Sequence, residues 1–358
     1  NQEVKSINMN VFDEIIKKVK DFLNSKNNLK IGFFGGSITD GFGASERSRC
    51  YRELVFGEIK KNINRGAIQI AAAIGGTGSN LGLFRLERDL LRHMPDLVFV
   101  EFAVNDSKLE NTDFYVENIV RNILRSNSDT KIVFLYTATA DYMTEFYAKG
   151  LLPPAVAKQE KIAEYYGIPS INAGKALYEK IKEEGSSCEK YLCDGCHPND
   201  EGYRAYADEI LRRMDKIDFN IDFCSKPINK EVINARMEFP KSGNGWRKSC
   251  NKMYNTDIDY VYSNIPGTAY EHEFSGSIIG LYFTMEKDSG ILKYRIDGGE
   301  EQECSTWDKY CVEFNRDCYK ILNDALTDGK HTLEFSISGK SNEKSEGTYI
   351  RLGAFLVG

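Results

Sequence analysis

Ser37, Gly76, Asn105, Asp194 and His197 together carry the groups an acyl-transfer site needs. A serine hydroxyl is a poor nucleophile until a base takes its proton, and histidine is suited to that task near neutral pH. A carboxylate must hold the ring in the right tautomer and stabilise the imidazolium that forms. The tetrahedral oxyanion needs donors aimed at it in advance, and removing one typically costs roughly 100- to 1,000-fold in rate. Asp194-Gly195-Cys196-His197 puts acid and base three positions apart, so one short loop can carry both. Ser37 must reach them from elsewhere in the fold. Its backbone N–H, that of Gly76 and the Asn105 side chain are the candidate oxyanion donors.

The same stretch supports other readings. Cys193-Asp194-Gly195-Cys196-His197 matches the C-x-x-C-H pattern of covalent haem attachment, which needs an axial partner and leaves Ser37 and Asn105 unused. Cys188, Cys193, Cys196 and His197 have the ligand types of a zinc site, without a second cysteine pair at suitable spacing. The plainer reading is that these cysteines pack in a loop. No metal or organic cofactor is expected.

The elements that must position these groups are legible along the chain. Phe12, Ile15, Val19, Phe22 and Leu23 predict an amphipathic helix over residues 10–25. Apolar runs at Lys30–Phe34, Ala67–Ala73, Leu97–Phe102, Lys131–Tyr136 and Ile168–Ile171 read as strands. Between them, helices are expected at Cys50–Lys61, Leu81–Leu91, Phe114–Leu124, Ala155–Tyr166 and Ala173–Glu184, with another at Asp200–Arg213. The segment Thr137–Pro154 reads as a long loop rich in aromatics. This alternation implies a parallel sheet covered on both faces, which its continuously apolar strands require. Ligands in such sheets bind beyond the carboxyl ends of the strands. Ser37, Gly76 and Asn105 each fall just past a different strand.

After about residue 216 the pattern changes to short alternating runs at Ile278–Phe283, Leu292–Ile296, Leu333–Ile337 and Tyr349–Leu356. Asp297-Gly298-Gly299 and Asp328-Gly329 read as hairpin turns. The expected organisation is therefore an α/β catalytic domain at 1–215 and an antiparallel β-sandwich at 216–358.

Composition narrows the classes. The 358 residues hold 47 Lys and Arg against 53 Asp and Glu, a net charge of −6, with 41% apolar and 28% charged residues. That describes a soluble globular protein. Without a basic tract or stripe, nucleic acid is not an expected partner. No apolar run approaches the ~18 residues of a membrane span. The sequence shows no leader-like apolar core at its start. Nine scattered cysteines fit reduced thiols, and the expected location is cytoplasmic.

Across residues 28–215 the motifs resemble the SGNH (GDSL-like) hydrolase superfamily, whose fold is a flavodoxin-like doubly wound sheet. Gly35-Gly36-Ser37-Ile38-Thr39 looks like its nucleophile block and Gly75-Gly76-Thr77-Gly78-Ser79 like its second block. Val104-Asn105-Asp106 resembles the third, and Asp194-Gly195-Cys196-His197-Pro198 the last. The order is the family's. Three positions depart from it: Gly36 stands where the family has Asp, Ala103 where it usually has Gly, and Ala71 where it often has Asn. None is a reacting group. The Gly-Gly-Ser-Ile-Thr block followed by a β-domain is similar to two-domain carbohydrate acetyl esterases, the family-17 acetyl-mannan esterases. The resemblance implies a serine esterase acting on an acetylated oligosaccharide of plant hemicellulose. Its residues would be Ser37, His197 and Asp194 for catalysis and Ser37, Gly76 and Asn105 for the oxyanion. A lipid esterase or thioesterase on the same site is one alternative, and a non-catalytic carbohydrate-binding protein another.

Sugar contacts are expected from Trp307, which lies in a polar setting after a turn, and from Tyr142 and Phe146 in the aromatic loop. Trp246 reads as core. His93, His272 and His331 read as structural.

Overall fold

The computed structural model describes residues 20–214, 216, 217, 219, 226–232, 234–253 and 256–358. The expected helix over 10–25 lies outside them up to residue 19; Lys20 to Leu23 are helical. The chain forms two compact units, Asn1–Glu231 and Val232–Gly358.

The first unit is built on five parallel strands, β1 (Lys30–Gly35), β2 (Ile68–Ala73), β3 (Leu97–Glu101), β4 (Lys131–Tyr136) and β5 (Ser170–Asn172), in the order β2-β1-β3-β4-β5. Register is in step, with Phe33 beside Ala71 on one side and Phe99 on the other. The helices are α1 (Ser37–Asp40), α2 (Tyr51–Asn62), α3 (Ser79–Asp89), α4 (Thr112–Ser126), α5 (Pro154–Tyr166), α6 (Ala173–Glu184) and α7 (Asp200–Met214). Every residue of β3 is buried, as a strand covered on both faces must be. Sheet and helices match the sequence expectations to within a few residues. The aromatic loop has more structure than expected: it contains a π-helical turn at Tyr142–Phe146 and a 3₁₀ turn at Tyr147–Lys149. Residues 226–231 belong to this unit; for example, the buried Glu117 carboxylate accepts the N–H groups of Ile228 and Asn229.

The second unit is an antiparallel β-sandwich. One sheet runs β13 (Arg316–Asn323), β10 (Ile279–Met285), β15 (Ile350–Val357), β8 (Thr256–Ser263), β7 (Arg247–Met253), with β6 (Arg236–Glu238) also on β15. The other runs β12 (Gln302–Ser305), β11 (Gly290–Ile296), β14 (Gly329–Ser341), β9 (Ala269–Gly276). Their inner faces enclose a core that includes Trp246, Phe274, Leu281, Phe283, Phe335 and Phe355. Asp297 and Gly298 turn the β11–β12 hairpin with φ of 52° and 67°, the left-handed pair such a turn requires. Asp328-Gly329 is not a hairpin. It lies where the chain passes from β13 in one sheet to β14 in the other.

Candidate active site

The end of β1 is a turn only small residues can make. A Cβ on Gly35 would collide with Thr39 Oγ1 and the Glu101 carbonyl. The chain therefore bends at Gly35-Gly36 and presents Ser37 as the first residue of α1. The Ser37 N–H lies ahead of that helix's first hydrogen bond, from Asp40 N–H to Gly36 O, where helix donors have no intrahelical acceptor.

Ser37 Oγ stands 2.9 Å from His197 Nε2, across 160 positions of sequence. On the other side of the ring, Nδ1 is 2.7 Å from Asp194 Oδ2. The second Asp194 oxygen accepts the N–H groups of Cys196 (3.0 Å) and His197 (2.8 Å). Burial pushes the Asp194 carboxyl up, but hydrogen bonds from the His197 backbone, its ring and the Cys196 N–H outweigh it and hold Asp194 below the usual carboxylate range. An ionised carboxylate only accepts, so it keeps a proton on Nδ1 and leaves Nε2 free to accept from the serine hydroxyl. Gly195, at φ 77°, makes the turn. Cys193 N–H to His197 O (2.8 Å) and Ala140 N–H to Gly195 O (2.7 Å) hold the loop in place.

Gly76 adopts φ 72° in a turn closed by Thr77 Oγ1 donating to Ile74 O at 2.8 Å. The Asn105 side-chain oxygen lies where a Cβ on Gly36 would stand, and the Thr77 carbonyl borders the same spot. Three separated motifs thus converge beside the serine. Asp106 follows Asn105 in the turn. It is buried and accepts from Ser79 N–H (2.8 Å), Thr112 Oγ1 (2.6 Å) and Gln159 Nε2 (3.2 Å), tying the Asn105 turn to the start of α3. Burial pushes its pKa up to about 6.

Two residues at the site escaped the sequence reading. Glu101, the last residue of β3, is fully buried and accepts from Thr39 Oγ1 and Thr137 Oγ1, each at 2.8 Å. It also takes a hydrogen bond from the Gly36 backbone, and burial pushes its pKa up to about 7. Its one sequence signal is a lone acid closing an apolar strand. The other is Phe42, which is 58% exposed with its ring centroid 4.5 Å from that of His197. A phenylalanine in a glycine-rich turn gives no such signal.

The expected sugar contacts divide. Tyr142 is buried and its hydroxyl donates to Ala103 O at 2.8 Å, so it braces the Asn105 turn instead of offering a face to a ligand. Phe146 meets it edge-on at 6.0 Å and is only partly buried. Trp246 is core, its Nε1 donating to Ala269 O at 3.0 Å. Trp307 is half-buried against the sandwich core. His272 stacks on Phe355 at 3.8 Å, and His331 pairs with Asp297 at 2.6 Å. Among the described residues no group of three or more His, Cys, Asp or Glu side chains is placed to hold a metal ion. Both ring nitrogens of His197 are engaged, by Ser37 and Asp194. Among the described residues no helix is long and apolar enough to cross a membrane.

The GDSL-like lipase/acylhydrolase family model matches residues 33–205, a span that contains Ser37, Gly76, Asn105, Asp194 and His197. No curated protein matches the chain. Two crystal structures of a two-domain esterase active on acetylated mannans share its fold, one co-crystallised with mannopentaose (TM-score 0.79) and one without it (0.80). Each is 21% identical and covers 96% of this chain and 94% of its own. A mutant of an acetylxylan esterase from Geobacillus stearothermophilus covers 53% of this chain and 95% of its own at 18% identity, with a TM-score of 0.43. The chain is a carboxylic ester hydrolase whose first unit is similar to the GDSL-like lipase/acylhydrolase family over residues 33–205.

Proposed function

We propose that this chain is a serine esterase that removes O-acetyl groups from hemicellulose oligosaccharides, with acetylated mannan the favoured substrate. The observation that carries the reading is the continuous chain Ser37 Oγ, His197, Asp194 at the carboxyl end of the sheet. Its substrate side draws support from the shared fold with an esterase active on acetylated mannans.

In this mechanism Ser37 Oγ attacks the acetyl carbonyl while His197 Nε2 takes its proton. Asp194 holds the ring and offsets the imidazolium charge. The N–H groups of Ser37 and Gly76 and the Asn105 side-chain amide receive the oxyanion. His197 then gives the proton to the departing sugar oxygen, leaving an acetyl-serine. Water, deprotonated by His197, releases acetate and restores Ser37. Phe146 is the proposed sugar contact of the first unit, and Trp307 a separate proposed sugar contact of the second unit taken by itself.

The test is acetate release from acetylated mannan and acetylated xylan, together with turnover of p-nitrophenyl esters of increasing acyl length. The reading expects faster release from mannan and a steep loss beyond short acyl chains. Preference for long chains would favour a lipid esterase. No turnover of any ester would favour a purely binding protein.

A further inference from the structure

Phe42 is an exposed aromatic ring beside His197. It is 58% exposed, yet its backbone is fixed. Its N–H donates to Ser37 O at 3.0 Å. Its carbonyl accepts from the hydroxyl of the fully buried Tyr203 at 2.6 Å, and Ile38 O shares that hydrogen at 3.1 Å. Gly41 and Gly43 flank it at φ 101° and 92°, conformations that side chains resist. A Cβ on Gly43 would also meet the Pro198 carbonyl and the His197 Cβ. The turn therefore sets the ring beside the imidazole without burying it.

The chemistry decides which part of a substrate meets this ring. His197 must reach the oxygen of the departing alcohol to protonate it. The alcohol portion therefore lies against the imidazole, while the carbonyl oxygen points to the donors around Gly76 and Asn105. The ring of Phe42, 4.5 Å from that of His197, is on the alcohol side.

We infer that Phe42 is a specificity-determining residue: its face stacks against the C–H face of a saturated ring in the alcohol portion of the ester, which in the reading proposed above is the acetylated pyranose. The negative face of an aromatic ring attracts the slightly positive hydrogens of such a face. Because the backbone around Phe42 is already fixed, little ordering opposes the contact.

The inference rests on the esterase mechanism but can fail separately from the sugar reading. Wild type, Phe42→Ala and Phe42→Tyr are compared on acetylated mannooligosaccharide, cyclohexyl acetate and ethyl acetate, the last having no ring to stack. In Phe42→Ala the kcat/KM ratio of cyclohexyl to ethyl acetate is expected to fall about fivefold or more, with release from the oligosaccharide falling about tenfold. Phe42→Tyr, which keeps the ring, should restore both to within about threefold. A ratio that does not move in Phe42→Ala overturns the inference, whether both esters lose activity together or neither does. A ratio that falls while wild type releases no acetate from the oligosaccharide leaves the stacking role standing and removes the sugar reading instead. Thermal unfolding of each variant checks that it is folded.

Discussion

The side chain of Asn105 fills the space that a Cβ on Gly36 would occupy. With no side chain at position 36, the third motif closes directly onto the nucleophile turn. Gly36→Ala should push the Asn105 amide out of place and lower kcat by about tenfold or more, in the direction of the roughly 100- to 1,000-fold loss typical when an oxyanion donor is removed. Comparing kcat for Gly36→Ala and Asn105→Ala on a short-chain ester tests this. Full activity in Gly36→Ala would show that Asn105 tolerates displacement.

Glu101 makes stability depend on pH. Its pKa is pushed from 4.5 up to about 7 by burial, so between those values the folded protein holds a proton the unfolded chain has lost. Stability should therefore fall as pH rises through that window and level off above it. Glu101→Gln has no such group. Urea unfolding of both proteins from pH 5 to pH 8 should show the wild type losing stability relative to the variant. A difference that stays constant with pH would contradict the assignment.

The parallel sheet was legible in the sequence because strands buried on both faces must be continuously apolar, as Leu97 to Val100 are. The glycine and Asn-Asp turns that follow them mark the strand ends. The Ser37–His197–Asp194 hydrogen-bonded arrangement was legible because Asp194 and His197 share one short loop. The roles of Phe42, Glu101 and Tyr142 were not. Each depends on a neighbour far away in the chain: His197 for Phe42, Thr39 and Thr137 for Glu101, and Ala103 for Tyr142. Asp328-Gly329 misled for a related reason, since a local turn signal does not say whether the next strand joins the same sheet.

Tyr142→Phe removes the donor to Ala103 O and leaves a buried carbonyl two positions before Asn105 without that bond. The expected cost is about 1 kcal/mol or somewhat more, with a severalfold fall in kcat as the Asn105 turn loosens. Denaturant unfolding and steady-state kinetics measure the two effects. Unchanged stability would mean that the hydroxyl carries no weight in this turn.

With both His197 ring nitrogens engaged by Ser37 and Asp194, dialysis against a chelator should leave turnover unchanged. Loss of activity restored by zinc would revive a metal role for the cysteines around His197.

In the proposed function Ser37 is the nucleophile of an enzyme that deacetylates sugars. Acetate release from acetylated mannooligosaccharide by the wild type and by Ser37→Ala, with thermal unfolding as the check on folding, tests it most directly. The wild type should release acetate and the variant should lose at least ~1,000-fold of that rate, since nucleophile and base act as a unit. A folded Ser37→Ala protein that keeps a tenth of the wild-type rate would contradict it.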